Sequence, residues 1–132
     1  MYIFVLLTKH LKMLRDFLLV GLGGALGSMS RYGLSLLATH IAISSEIATL
    51  TTNAIGSLLI GIIIALTKGD WYLLASIGFC GGFTTFSTFS AQALQLLQSG
   101  HRLLGMTYIL ASAIVCILMT WAGTSLTEKL IK

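Results

Sequence analysis

Long apolar runs separated by brief polar punctuation set the pattern of this chain. Four runs reach the roughly 20 residues that a membrane-spanning helix needs: about 17–39, 47–67, 71–98 and 103–126. The connections between them, "HIAISSE", "KGD" and "SGHR", are short enough to make sequential neighbours antiparallel. Trp71, Tyr72 and Trp121 fall near predicted ends, where amphipathic rings settle at a membrane–water boundary. The pattern predicts an all-α membrane protein with four transmembrane helices in one domain, 13–132. Residues 1–12 precede it as an N-terminal extension lying at the interface. "MYIFVLLTKHLK" places its apolar run before its charges, the reverse of a cleavable signal peptide, and "MLRDFLLVGLGG" from Met13 already reads as a complete start.

Composition strengthens this picture. Of 132 residues, 56% are hydrophobic and 9% charged, whereas soluble domains carry about 25% charged residues. The net charge of +4 is spread over segment ends, which suits lipid headgroups and orientation signals better than nucleic acid. Cys80 and Cys116 sit singly inside apolar runs, without metal-ligand or disulfide spacing, and read as small buried hydrophobes.

Charge placement then excludes a function class. Asp16, Glu46, Asp70 and Glu128 are all the carboxylates, and each falls at a segment boundary. Proton-coupled transport usually needs a titratable group inside the membrane, and no carboxylate is available for it. The ionisable residue well inside a segment is Arg31. It either faces an aqueous vestibule, raising local anion concentration, or snorkels to the nearby boundary past a helix that ends before Thr39. Gly23 and Gly27 in the first segment, and Ser57 and Gly61 in the second, have the four-residue spacing that lets helices approach closely in lipid.

A few polar side chains need partners. Asn53, in the middle of the second segment behind Thr49, Thr51 and Thr52, must hydrogen-bond or cost several kcal/mol. It is either interhelical glue or an N–H donor offered to an anion. Tyr108 and Ser112, four apart, share one face of the fourth helix. The third segment carries "GFCGGFTTFSTFSAQ". Proline is absent from the chain, so a helix break must come from glycine, and Gly78, Gly81-Gly82 and Thr84-Thr85 make a poor helix. Unwound backbone at membrane depth survives only when buried in protein or lining a cavity. Its freed carbonyls suit a cation and its freed N–H groups an anion. Beyond the break, Phe83, Phe86 and Phe89 form a stripe beside rows of hydroxyls, Ser87 with Ser90 and Thr85 with Thr88. Such a stripe is ordinary packing, or else a dry path in which positive ring edges and hydroxyls favour a small, hard anion.

These residues resemble the CrcB/Fluc fluoride channel family. "GGFTTFSTF" is highly specific, and "GGALGSMSRYG" and "TLTTNAIGSLLIG" are similar to the family's other two motifs, so that the likeness covers about 13–127. The resemblance implies a four-span channel domain with its third helix broken at mid-membrane, assembled as an antiparallel, dual-topology dimer in the cell inner membrane. It implies no enzyme but passive fluoride export, which relieves toxicity, through two pores at the dimer interface. By motif position the fluoride pathway would run past Asn53, Phe86, Phe89, Ser87 and Thr88, with Arg31 in the vestibule and Phe83 left to packing. A structural sodium ion would sit on the carbonyls of Gly81 and Thr84 from both subunits. "TYILASAIVC" departs from the family's usual fourth span, and Tyr108 and Ser112 would supply the polar contacts there.

Dual topology meets one tension. Lys9, Lys12, Arg15, Lys68, Lys129 and Lys132 share one side, against Arg31 and Arg102 on the other. Counting from Met13 leaves four against two. Either bias favours one orientation, and a homodimer competes with an obligate heterodimer whose partner is a paralogue of opposite bias. From other classes, a small four-span multidrug exporter would need an intramembrane glutamate in the first span, and an accessory membrane subunit would use the polar residues for helix association alone.

Overall fold

The computed structural model describes residues 2–131, and these are helical with short connections. Helix α1 spans Tyr2–His40 and α2 spans Ser45–Leu66. The third helix is in two halves. Its first half, α3, is wound as a π-helix over Tyr72–Cys80 and continues as an α-turn over Gly81–Phe83. Its second half, α4, spans Phe86–Gln98, and α5 spans Arg102–Ile131. The four expected segments are therefore each helical, with two differences. Helix α1 begins far ahead of residue 17, so that the N-terminal extension is continuous with it, and it runs past Thr39. The π winding of α3 has no counterpart in the sequence reading.

Among the described residues, three helices are long and apolar enough to cross a membrane, α2, the third helix taken over Tyr72–Gln98, and α5. Glycines, serines and Arg31 dilute the apolar stretch of α1. The boundaries have local causes. Ser44 caps α2, its hydroxyl accepting from the Ile47 N–H at 3.5 Å. Gly69 and Gly100, at φ +61° and +87°, turn the chain before α3 and before α5 in a conformation that side chains resist.

Packing is pairwise. Helix α1 lies against α3, while α2 and α4 lie against α5. Without a hydrophobic force between helices in lipid, close backbone approach does the work. A methyl group placed on Gly23 would strike the Leu74 carbonyl, one on Gly27 the Phe79 carbonyl, and one on Gly82 the Gly24 carbonyl. Gly61 and Gly123 meet in the same way between α2 and α5. The small-residue spacing read from the first two segments is thus helix contact. Cys80 is buried, whereas Cys116 is half-buried on the face of α5.

Candidate functional site: the broken third helix

Between α3 and α4, Thr84 and Thr85 are extended, with φ, ψ of −78°, 157° and −145°, 109°. Two extended residues remove several i→i+4 hydrogen bonds, and each freed backbone group must find a new partner. The new partners build the site.

Asn53 of α2 takes the first of them. Its Nδ2 donates to the Thr85 carbonyl at 3.1 Å, and its Oδ1 accepts from the Thr85 N–H at 2.8 Å. The amide thus stands in for the helix that Thr85 has left, and one of its N–H bonds remains uncommitted. Of the two roles open to Asn53, glue is therefore filled, without exhausting the donor. Arg31 takes the second. Its Nε donates to the Gly82 carbonyl at 3.2 Å, joined there by the Ser28 hydroxyl at 3.4 Å. Arg31 does more than snorkel: it closes the broken end of α3 and keeps its Nη groups for a cavity. At the start of α4, Thr85 is the N-cap, its hydroxyl accepting from the Thr88 N–H at 3.3 Å and donating to the Thr88 hydroxyl at 3.0 Å.

Some carbonyls stay free. The Thr85 N–H belongs to Asn53 and the Thr88 N–H to the Thr85 hydroxyl, so no described donor meets the carbonyl of Gly81 or Thr84. Both residues line an open groove of about 560 Å³ on the face formed by α2, α3, α4 and α5. Neutral, hard oxygens at the carbonyl end of a half-helix fit a small cation.

The groove also holds Asn53, Phe86, Phe89 and Ser112. Phe86 is 78% exposed and its ring lies 5.5 Å from that of Phe89, centroid to centroid. Phe89 rests in turn on Tyr108 at 5.3 Å. The Ser112 hydroxyl is buried with no described hydrogen-bond partner, which makes it an idle donor at the groove wall. Phe83, by contrast, is buried and stacks on Phe79, as a packing residue.

A second cavity, about 290 Å³, gathers Arg31, Thr49, Thr52, Thr85, Thr88 and Gln92 among its walls. Thr85 lines both cavities. Of the residues singled out in sequence, Thr88 faces this cavity and Ser87 lines neither, its hydroxyl lying 3.4 Å from that of Thr85. Tyr108 lines neither as well. It is buried beneath Phe89 and its hydroxyl donates to the Gln92 Oε1 at 2.8 Å. Gln92 was missed in the sequence. The signal for it was the buried phenol of Tyr108, which needs a partner and finds it one helix away. Gln92 is thus held by Tyr108 through Oε1 while it lines the second cavity. Tyr108→Phe should keep the ring stack and lose that bond, lowering stability by about 1 kcal/mol. Chemical unfolding of the purified full chain in detergent measures it, and an unchanged midpoint would mean the bond carries nothing.

With this geometry in view, the comparisons with known proteins place the chain. Residues 18–124 match the family described as CrcB-like protein, Camphor Resistance (CrcB). The chain belongs to the CrcB family. Among its CrcB relatives, one from Saccharophagus degradans is 40% identical over 120 residues, covering 86% of this chain and 90% of its own. One from Leptospira interrogans serogroup Icterohaemorrhagiae serovar copenhageni is 41% identical over 116 residues, 83% of this chain and 91% of its own. One from Rhodospirillum rubrum is 41% identical over 116 residues, 81% and 90% respectively. Each of the three carries the name Fluoride-specific ion channel FluC. A CrcB protein with these helices is a multi-pass membrane protein, and the matched region contains Arg31, Asn53 and the whole third-helix break.

Proposed function

We propose that this chain forms a fluoride channel that exports the anion passively, relieving fluoride toxicity, and is no enzyme. The observation that carries the reading is a pair of cavities that share Thr85 in their walls, one holding Asn53, Ser112, Phe86 and Phe89 and the other Arg31, threonines and Gln92. The anion gathers beside the Nη groups of Arg31 and exchanges water for threonine hydroxyls and the Gln92 amide. It then passes Thr85 to reach the remaining N–H of Asn53, the Ser112 hydroxyl and the edges of Phe86 and Phe89. The amide end of α4 points a positive helix terminus at the same place. Many weak donors let a small anion shed water without being trapped. The names of the related channels agree with this anion.

The groove is open along one side and exposes Phe86, which supports a second, antiparallel copy as its missing wall, with two pores at the dimer interface. The same copy would bring a second pair of Gly81 and Thr84 carbonyls, and four neutral oxygens would hold a structural sodium ion at the dimer centre. Bound there, that ion supplies positive charge that ties the two broken helices together. The excess of lysine and arginine on one side favours a second form of the same reading, an obligate heterodimer in the inner membrane. Cysteine labelling from both sides, in cells expressing this chain alone, separates the forms, since single-sided labelling rules out the homodimer.

Efflux from liposomes tests the function. Fluoride should leave vesicles holding the purified chain with little chloride release and without a proton gradient. Phe86→Ile should cut that flux at least ~tenfold, a barrier increase of about 1.4 kcal/mol, with the dimer intact on gel filtration. Equal fluoride and chloride release, or flux that needs a pH gradient, overturns the proposal.

A further inference from the structure

The first helix extends well beyond what the membrane needs. Its 39 residues make a rod of about 58 Å, against a hydrocarbon core of about 30 Å. The surplus is at the N-terminal end, ahead of the exposed pair in which Arg15 meets Asp70 at 2.9 Å. Projected at about 100° per residue, residues 3–18 divide into two arcs. Ile3, Phe4, Leu7, Leu11, Leu14 and Leu18 form an apolar stripe about 100° wide, with His10 at its edge. Thr8, Lys9, Lys12, Arg15 and Asp16 share the opposite arc.

Orientation adds to this. The polar arc lies on the bearing of Gly23 and Gly27, which face the bundle. The apolar stripe lies on the bearing of Leu18, Leu22, Met29 and Leu36, all exposed and turned away from the bundle. The exposed apolar stripe of the arm is therefore continuous with the exposed apolar stripe further along α1. An arm that leans outward from its anchor at Arg15 turns this stripe down onto the bilayer and keeps Lys9 and Lys12 near the headgroups. Lys68 and Lys129 lie at the same end of the molecule and add positive charge there.

We infer that residues 2–14 are a membrane-surface arm whose occupant is the anionic lipid bilayer beside the protein. Apolar burial supplies the seating, and Lys9 and Lys12 supply preference for anionic headgroups. Nothing in the fluoride reading assigns this segment, and the arm stands or falls independently of it.

The test uses the full chain with Trp71→Phe and Trp121→Phe, carrying either Leu7→Trp or Lys9→Trp. It is reconstituted in phosphatidylcholine vesicles with or without phosphatidylglycerol. In the anionic vesicles, Leu7→Trp should emit at shorter wavelength and be quenched by lipids brominated near the headgroup, while Lys9→Trp remains open to acrylamide. Adding Lys9→Gln and Lys12→Gln to the Leu7→Trp chain should weaken that lipid preference, about fivefold for each charge removed. Equal acrylamide quenching at positions 7 and 9, unaffected by brominated lipid in either vesicle, overturns the inference. So does disulfide formation between copies through Leu11→Cys that the parent chain does not show, because a second copy would then cover the stripe.

Discussion

Asn53→Ala should nearly abolish fluoride efflux and loosen the fold at once. The substitution removes both hydrogen bonds that hold Thr85 extended. The Thr85 N–H and carbonyl then sit orphaned in a part-buried, low-dielectric place, at about 1–3 kcal/mol each. The chain has two ways to relieve this. It can rewind Thr84–Thr85 toward helix, which erases the free carbonyls of Gly81 and Thr84 and reshapes the wall that the two cavities share. Or it can admit water, which costs selectivity. Each outcome lowers fluoride release relative to chloride in the liposome assay, and the first also shifts thermal unfolding. Asn53→Asp offers a sharper comparison, since it keeps the acceptor for the Thr85 N–H but loses the donor. It adds a negative charge beside the groove and should stop the anion while sparing more of the stability. Normal flux in both variants would remove Asn53 from the pathway.

Gly27→Ala should destabilise the whole bundle, and Gly21→Ala should not. A methyl group at Gly27 collides with the Phe79 carbonyl and crowds the Phe83 N–H, both backbone atoms that cannot turn aside. Helices α1 and α3 must separate, and overpacking of this kind costs about 1–3 kcal/mol or more. The separation also pulls Ser28 and Arg31 off the Gly82 carbonyl, because Ser28 is the next residue and Arg31 lies one turn further along α1. At Gly21 nothing lies within 4 Å of the added carbon, and alanine is the better helix former by about 1 kcal/mol. Thermal unfolding of the two variants in the same detergent should therefore show a lowered Tm for the first and an equal or raised Tm for the second. Equal losses would mean that α1 and α3 are held by something other than this contact.

The apolar runs were enough to place the helices, because length and hydropathy are local and lipid leaves the backbone little alternative. The break was legible too, since Gly81, Gly82, Thr84 and Thr85 each disfavour helix without outside help. What those residues do after breaking was not legible. The Gly82 carbonyl is met by Arg31, separated by 51 positions, and Thr85 is met by Asn53, 32 positions away. Partnerships at such separation are set by helix crossings that no window of sequence contains. Tyr108 shows the same limit from the other side. Its shared face with Ser112 was correct, yet that face divides, with Ser112 on the groove and Tyr108 under Phe89. The π winding of Tyr72–Cys80 left no residue-level mark, as its apolar content suits an α-helix equally well.

The open side of the groove has a consequence for dosage. If a second chain supplies the missing wall, as proposed above, a lone protomer, newly inserted and not yet paired, has no sealed route through it. A cell can therefore accumulate subunits without becoming leaky at first. Where pairing is weak, the number of conducting units grows with the square of subunit abundance, because each needs two chains to meet. Permeability is then set by encounter in the plane of the membrane, and low expression is electrically silent.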